Sequence, residues 1–424
     1  MLTAIRVHDF RCFHDSGPIS LSDLNVFVGP NNAGKSTLMS AISLLLASSS
    51  ADDARTPLKI DRDPVFASFD SVLRKHWSAQ ASRPSHFSFS GEYRLEKLFS
   101  GQSYWADYKF SKTTNDGRTY VDSIEYGLVN PEKRHVEVKI SQKDGRYRIS
   151  SPDELSDRPV FFFGQLPALL GRKDVKSPEK FRDWLALSHL TEAYSTSEAI
   201  VVRPYRPVPR SVYVVDDPNM SFEDRKLISD LLRIWSSSGG NESRDRIAAN
   251  LRTMSLAKSI SVKSKAKAGP SIVEIRIAAA NSRHEVTIND VGYGVSQILP
   301  LLVAESQARG QSIVAYQPEA HLHPYAQSRL ADFFVGAIKN DNRCFVETHS
   351  EHLILRLQTL IAEGQVPPEK VRVFCVERQG NESKIRTMQF HADGRPIDPW
   401  PSGFLDTGLA LARQLSFART RRTA

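Results

Sequence analysis

Leu24-Asn25-Val26-Phe27-Val28-Gly29-Pro30-Asn31-Asn32-Ala33-Gly34-Lys35-Ser36-Thr37-Leu38 is the stretch that decides how the rest of the chain is read. An apolar run with the character of a buried strand, Leu24 to Val28, leads into Gly29-x-x-x-x-Gly34-Lys35-Ser36, and a helical pattern from Lys35 to about Ala47 follows. That is a phosphate-binding P-loop in the context it requires, strand before and helix after. Gly29 and Gly34 allow the turns that aim successive backbone amides of the loop, across Pro30, Asn31, Asn32 and Ala33, at phosphate oxygens. The new helix presents its N-terminus to the same anion. Lys35 supplies a point charge for the β- and γ-phosphates, Ser36 offers a hydroxyl to Mg²⁺, and Thr37 completes the motif. A chance glycine-rich turn would not bring strand, motif and helix together, so a nucleoside triphosphate is the expected ligand.

Composition sets the outer bounds. The chain has 424 residues, 25% charged and 40% hydrophobic, which is ordinary for a globular protein of two or three domains. No stretch approaches the roughly 18 to 20 apolar residues needed to span a bilayer. The N-terminus, Met1-Leu2-Thr3-Ala4-Ile5-Arg6, reads directly as a strand rather than as a signal. Cys12, Cys344 and Cys375 are far apart and odd in number, fitting neither a disulfide framework nor a zinc site. A cytoplasmic protein with reduced thiols and no membrane partner is the expectation. The net charge of +8 and the pI near 9.3 permit contact with DNA or RNA without requiring it.

Five stretches follow from the pattern of the text. Residues 1–85 hold the N-terminal part of the nucleotide-binding core, with a strand at Ala4 to Phe10, the P-loop strand and its helix. Residues 86–151 change to short alternating segments: His86 to Phe89, Tyr104 to Phe110, Tyr120 to Gly127, Val136 to Ile140 and Tyr147 to Ile149. With hairpin chemistry at Asn115-Asp116-Gly117 and Lys143-Asp144-Gly145, they predict an antiparallel meander lobe. Residues 152–255 read as a mostly helical insertion, with Lys180 to Leu190 and Phe222 to Trp235 the clearest helices. That stretch also carries a proline-stiffened surface loop, Arg203-Pro204-Tyr205-Arg206-Pro207-Val208-Pro209-Arg210, and a flexible break at Ser236 to Asn241. Residues 256–377 return to the core, and 378–424 form a small C-terminal module ending in Arg419-Thr420-Arg421-Arg422. Lys258 to Lys267 leads into the strand Ile272 to Ala278 as a basic hairpin, either a lysine-guarded edge or a phosphate-contacting finger.

The second half of the core carries the remaining motifs. After the strand Glu285 to Ile288, Gly292-Tyr293-Gly294 opens an amphipathic helix. The apolar strand Ser312 to Tyr316 runs into Gln317-Pro318-Glu319-Ala320-His321-Leu322-His323-Pro324. A helix, Tyr325 to Ala337, then leads to the strand Arg343 to Glu347 and to Thr348-His349-Ser350. Strand, helix and strand at this spacing predict a βαβ unit whose parallel strands flank the P-loop strand.

Taken together, this set resembles the ABC-type ATPase heads of the SMC, RecF and OLD families. In those heads a Walker A loop, a glycine-containing signature, a Walker B strand and a switch histidine follow in this order. It is similar as well to a bacterial AAA-family subgroup with a C-terminal Trp-Pro-x-Gly-Phe motif, matched by Trp400-Pro401-Ser402-Gly403-Phe404. The resemblance covers most of the chain. It implies an α/β P-loop NTPase of the ABC-ATPase head type, with a mixed, largely parallel core sheet, helices, the antiparallel meander lobe and the helical insertion. It also implies ATP and Mg²⁺ as ligands, Ser36 at the metal, and Arg11 of Phe10-Arg11-Cys12-Phe13 close to the bound phosphates. Gly292 and Gly294 would face the γ-phosphate held by another subunit, so that two heads close on ATP as a homodimer or higher oligomer. His349 would sense the γ-phosphate, with Lys35 and Gln317 completing the catalytic set.

The sequence departs from that pattern in one place. Such Walker B strands end in two acids, or an acid then glutamine, before proline; here the positions read Tyr316 and Gln317. Glutamine can orient water, whereas a neutral phenol offers little to a hard cation. Glu319 and Glu347 are nearby carboxylates, either substitutes for the missing acid or structural partners of arginines. His321 and His323 read as part of the interface loop after Walker B, a metal site being the lesser alternative for want of a third ligand.

The expectation is an ATP-dependent, dimerising ATPase of the RecF/OLD kind that gates a separate DNA-acting effector in anti-phage defence or DNA repair. The chain shows no TOPRIM-like acidic triad, His-Asn-His pattern or nucleophile motif, so nuclease chemistry would come from the partner. The alternative is a hydrolysis-deficient ATP-binding scaffold that sequesters or activates a partner protein. A transporter ATPase subunit is disfavoured by the long meander insertion.

Overall fold

The computed structural model describes residues 1–47, 58, 60, 66, 68–74, 84–94, 103–113, 118–129, 138–143, 146–151, 159–163, 166–169, 199–204, 206, 208–265, 271–279, 284–401, 404–405 and 414–415. The N-terminal run forms β1 (Leu2–Phe10), β2 (Phe13–Asp15), β3 (Ile19–Ser20) and the fully buried β4 (Leu24–Val28), and the P-loop opens α1 (Lys35–Ala47). A single helical turn at Phe69–Val72 precedes β5 (Phe87–Arg94), β6 (Ser103–Lys112), β7 (Thr119–Leu128), β8 (Val138–Lys143) and β9 (Arg146–Ser151). Next come β10 (Val160–Phe163), β11 (Leu166–Leu169), β12 (Ile200–Val202), β13 (Tyr213–Val214), α2 (Phe222–Ser236) and α3 (Asn241–Thr253). The remainder is β14 (Ser259–Lys265), β15 (Ile272–Ala278), β16 (Glu285–Thr287), α4 (Tyr293–Gln307), β17 (Ser312–Tyr316), α5 (Pro324–Lys339), β18 (Arg343–Glu347), α6 (Glu351–Ala362), β19 (Val371–Gln379) and β20 (Glu382–Met388).

The chain folds as two compact units. The first takes in Met1–Ser22, Pro30–Val201 and Val376–Ile385, the second Asp23–Gly29, Val202–Cys375 and Arg386–Ala424. In the first, an antiparallel sheet runs β2-β1-β5-β6-β7-β8-β9, with β3 also on β1. Alternating residues supply one apolar face, as in β5, where every second side chain from Phe87 to Tyr93 is buried. On that face Phe10, Phe87, Phe89 and Phe110 pack ring on ring, Phe87 and Phe110 stacked at 4.6 Å. The expected meander is present, and β1 joins it through pairs such as Ile5↔Gly91. Its turns at Asn115-Asp116-Gly117 and Asp144-Gly145 lie outside the described residues.

In the second unit β17, β18, β4 and β19 lie side by side and parallel, with Val314↔Phe345, Val346↔Val26 and Val373↔Val26 in register. β4 and β18 are buried along their whole length. Strands buried on both faces read as continuous apolar runs, which is why these were legible. The predicted βαβ unit is β17, α5 and β18, but its strands do not flank the P-loop strand: β18 pairs with β4, β17 lies beyond β18, and β19 takes the other side of β4. The basic hairpin is β14 on β15, and its Lys263 and Lys265 face Glu285 and Glu274 at 3.8 and 3.9 Å, which favours the guarded-edge reading. Trp400 lies against Phe390 and Phe404, at 6.1 and 5.3 Å.

Three expectations need adjustment. Residues 152–255 hold α2 and α3 but also strands, β10 and β11 forming an antiparallel hairpin; the predicted helix Lys180 to Leu190 lies outside the described residues. Ser236 to Asn241 is no flexible break. Ser237 Oγ accepts from the Gly239 N–H, and a Cβ on Gly240 would stand 1.9 Å from the Ile234 carbonyl oxygen, so the turn is tightly packed. The arginine-bearing loop is not wholly surface, as Arg206 below makes plain. The C-terminal helix predicted from Leu405, and the arginine tail, lie almost entirely outside the described residues. Among the described residues no helix is long and apolar enough to cross a membrane.

Candidate nucleotide site

In the first unit the loop from Pro30 to Thr37 has the backbone its motif demands. Asn32 and Gly34 have φ of +60° and +110°. Asparagine tolerates the left-handed region better than most residues, and glycine enters it without steric cost. Gly34 has a second reason to be glycine: a Cβ there would lie 2.6 Å from Cys12 Sγ and 3.1 Å from the Phe13 ring. Lys35, only 3% exposed, donates from Nζ to the Pro30 carbonyl oxygen at 2.8 Å, which holds its charge within the arch of the loop. Pro30, Asn31, Asn32 and Ser36 are exposed while Ala33 and Thr37 are buried.

Arg11 belongs to the same unit and reaches the loop through its neighbour. Phe10 pairs with Phe13, so Arg11 and Cys12 form a two-residue hairpin turn, and Arg11 has φ +50°. Hairpin turns put glycine or asparagine at such a position, and an arginine there costs about 1–2 kcal/mol. The backbone holds it by the Arg11 N–H donating to the Val72 carbonyl at 2.7 Å. Cys12 is the residue that fills the space beside Gly34.

In the second unit the carboxyl ends of three parallel strands converge. Tyr316 is in register with Glu347, and Glu347 with Phe27 of the strand that ends at the P-loop. The Gln317 N–H donates to the Glu347 carbonyl at 2.8 Å, and the Thr348 N–H to the Phe27 carbonyl at 3.1 Å. Gly29, Gln317 and His349 thus leave the sheet at one edge, the edge where open α/β sheets bind their ligands. Gly29 and Gln317 turn there with φ of +139° and +43°. Glu319, 8% exposed, accepts the His349 N–H at 2.6 Å, and burial pushes its carboxyl up from the usual range. Backbone amides and the Thr348 hydroxyl hold it, and Arg206 acts on it through charge rather than as a contact ion pair. Tyr316 is 4% and Glu347 2% exposed, so both belong to the packed end of the sheet.

Arg206 is the residue that sequence reasoning missed. It is buried, and it donates to the Gln297 carbonyl of α4 at 2.9 Å and to the Tyr316 carbonyl at 3.0 Å. Burial lowers its pKa to about 10, which leaves it charged at neutral pH. One guanidinium thereby ties the signature helix to the end of β17.

The start of α4 rests on the loop after β17. Gly292 is its exposed N-cap, with nothing within 4 Å of where a Cβ would stand. A Cβ on the buried Gly294 would lie 2.9 Å from the His321 carbonyl oxygen, so that contact requires glycine. Tyr293, 42% exposed, packs its ring 5.5 Å from that of His321. His323 accepts the Tyr325 N–H at 3.3 Å as the cap of α5. Among the described residues neither histidine belongs to a metal-binding cluster.

A phosphate-loop motif directly after a central parallel strand, with β17 two places along the same sheet, marks an ABC-like head ATPase of the P-loop class. Residues 24–356 match the family described as "AAA domain, putative AbiEii toxin, Type IV TA system", and the chain belongs to that family. Nucleotide binding comes with membership of this P-loop class. Among solved structures the chain is similar to the SMC head bound to the C-winged helix domain of ScpA, at 13% identity over 92% of this chain and 97% of that one, with a TM-score of 0.47. It is similar also to the SMC head with an extended coiled coil bound to the C-terminal domain of ScpA derived from Pyrococcus furiosus, at 11% identity, 98% and 99% coverage and a TM-score of 0.47. The SMC head domain from Thermotoga maritima gives 10% identity, 94% and 99% coverage and a TM-score of 0.41. No curated protein matches the chain.

Proposed function

We propose that the chain binds Mg²⁺-ATP on its P-loop, pairs with a second copy around the nucleotide, and hydrolyses it to gate a separate effector. The observation that carries this reading is the departure of Gly29, Gln317 and His349 from one edge of the parallel strands. In it, Lys35 and Arg11 bind the phosphates and Gln317 orients the attacking water. His349, fixed through its backbone by Glu319, donates to the γ-phosphate as charge develops there. Ser36 would hold Mg²⁺, and the ion would supply charge neutralisation on the phosphates, with another carboxylate standing in for the acid that Tyr316 displaces. Gly292 and Gly294 act from the partner copy, which the exposure of Gly292 and Tyr293 at the start of α4 permits. The family's description names a type IV toxin–antitoxin toxin, which supports a defence setting. A nuclease partner, a DNA target and kinship of role with RecF and OLD proteins rest on the motif resemblance.

Light scattering with and without Mg²⁺-ATP tests the pairing. The mass should double with nucleotide for the native chain and stay monomeric for Lys35→Ala. An unchanged mass with ATP demonstrably bound would overturn the sandwich. A second reading, an ATP-held switch without turnover, has one observation in its favour: Tyr316 is buried where such heads place the metal-holding acid.

A further inference from the structure

His8, Asp9 and His14 bring two imidazoles and a carboxylate to one place on the first unit's sheet, apart from every residue assigned to the nucleotide. One ligand atom from each lies within 4.8 Å of the others. Register is the cause. β1 and β2 pair His8↔Asp15 and Phe10↔Phe13, which sets Asp9 opposite His14. Asp9 has φ +50° within the strand, a left-handed conformation that lets its carboxylate also meet the ring of the preceding residue. His14 Nδ1 is 3.0 Å from Asp9 Oδ1 and His8 Nδ1 is 3.1 Å from Asp9 Oδ2, with the two rings 5.1 Å apart. The carboxylate is 11% exposed and the imidazoles 39% and 47%, a seated anion with an open approach.

We propose that these three residues form a binding site for a transition-metal dication of the Zn²⁺ class. A tetrahedral ion with metal–ligand bonds of about 2.0–2.1 Å sets its ligands roughly 3.3 Å apart. The two imidazole–carboxylate separations are already near that spacing. Both rings also turn the same atom, Nδ1, toward the one carboxylate. Two nitrogen donors select Zn²⁺, Co²⁺ or Ni²⁺ over Mg²⁺ and Ca²⁺, which prefer oxygen. Arg74 donates from Nε to Asp9 Oδ1 at 2.7 Å, and its N–H donates to the Asp9 carbonyl at 2.9 Å, which fixes the carboxylate in the way outer partners fix metal ligands. Three protein ligands leave a fourth position to water, so the site is open. The hairpin it would brace continues into Arg11 and Cys12, and Cys12 packs beside Gly34. A bound ion would stiffen the support of the phosphate loop. The proposal does not depend on the reading of ATP turnover.

The test uses the full chain, tag removed, stripped with chelator and free of nucleotide. Co²⁺ is titrated as a spectroscopic probe, and Zn²⁺ affinity is read by competition with a chromophoric chelator. One equivalent of Co²⁺ should give a visible band that Zn²⁺ abolishes. Zn²⁺ affinity should fall at least about tenfold in His8→Ala, in His14→Ala and in the gentler His14→Gln. His391→Ala, at an exposed histidine elsewhere, should bind as the native chain does. Native protein that leaves the Co²⁺ spectrum at that of the hydrated ion would overturn the proposal. So would His14→Gln binding Zn²⁺ as tightly as His391→Ala, which would leave the three side chains a hydrogen-bonded clamp.

Discussion

At the phosphate loop every residue type the chemistry needs is in place, whereas at the end of β17 a phenol fills the position where the motif resemblance leads one to expect a carboxylate. The loop is specified locally. Gly34 is dictated by its φ of +110° and by Cys12, and Lys35 closes onto Pro30 five residues back. The end of β17 is specified from a distance, by the register with Glu347, by Arg206 on the Tyr316 carbonyl and by Glu319 on His349. A locally specified element keeps its motif or loses its function. One assembled from distant parts can exchange a residue while its neighbours hold the shape.

The largest effect should come at the loop. Gly34→Ala places a methyl against Cys12 at a φ that L residues rarely adopt, and should weaken binding of a fluorescent ATP analogue by at least about 100-fold. Affinity within threefold of native would mean that the loop tolerates more than this comparison allows. Next is Arg206→Ala, which removes the buried hydrogen bonds to the Gln297 and Tyr316 carbonyls, at about 1–3 kcal/mol in all. Thermal unfolding should shift down by several degrees, and Arg206→Lys should recover only part, because one ammonium lacks the fork that spans both acceptors. An unchanged Tm would show that α4 and β17 do not need the tie.

The smallest effect is a pH dependence. Burial raises the folded-state pKa of Glu319 above its usual 4.5. The folded protein then holds that proton more tightly than the unfolded chain, so this group's contribution to stability is greatest below 4.5 and declines as pH rises through the raised value. Glu319→Gln keeps the acceptor for His349 and has no charge to bury. Its Tm relative to native should therefore improve as pH is taken from 4 to 8. A difference that stays flat would place the Glu319 carboxylate in a better-solvated setting.

The elements around the site were legible because each announces itself within a short window. The P-loop strand and the strands ending at Tyr316 and Glu347 are uninterrupted apolar runs, and paired glycines mark the start of α4. Arg206 was not legible. It sits in proline-rich polar text that reads as surface, and its acceptors are 91 and 110 residues away. The grouping of His8, Asp9 and His14 was hidden for a similar reason. It follows from a hairpin register and one left-handed residue, and neither leaves a periodic mark in the sequence.

The most direct measurement is phosphate release from Mg²⁺-ATP by the native chain beside Lys35→Ala and Tyr316→Glu. The account predicts turnover in the native protein that Lys35→Ala abolishes, with Gln317 and a carboxylate other than residue 316 sufficient for the chemistry. Tight ATP binding without turnover, together with activity gained by Tyr316→Glu, would contradict it and leave an ATP-held switch in its place.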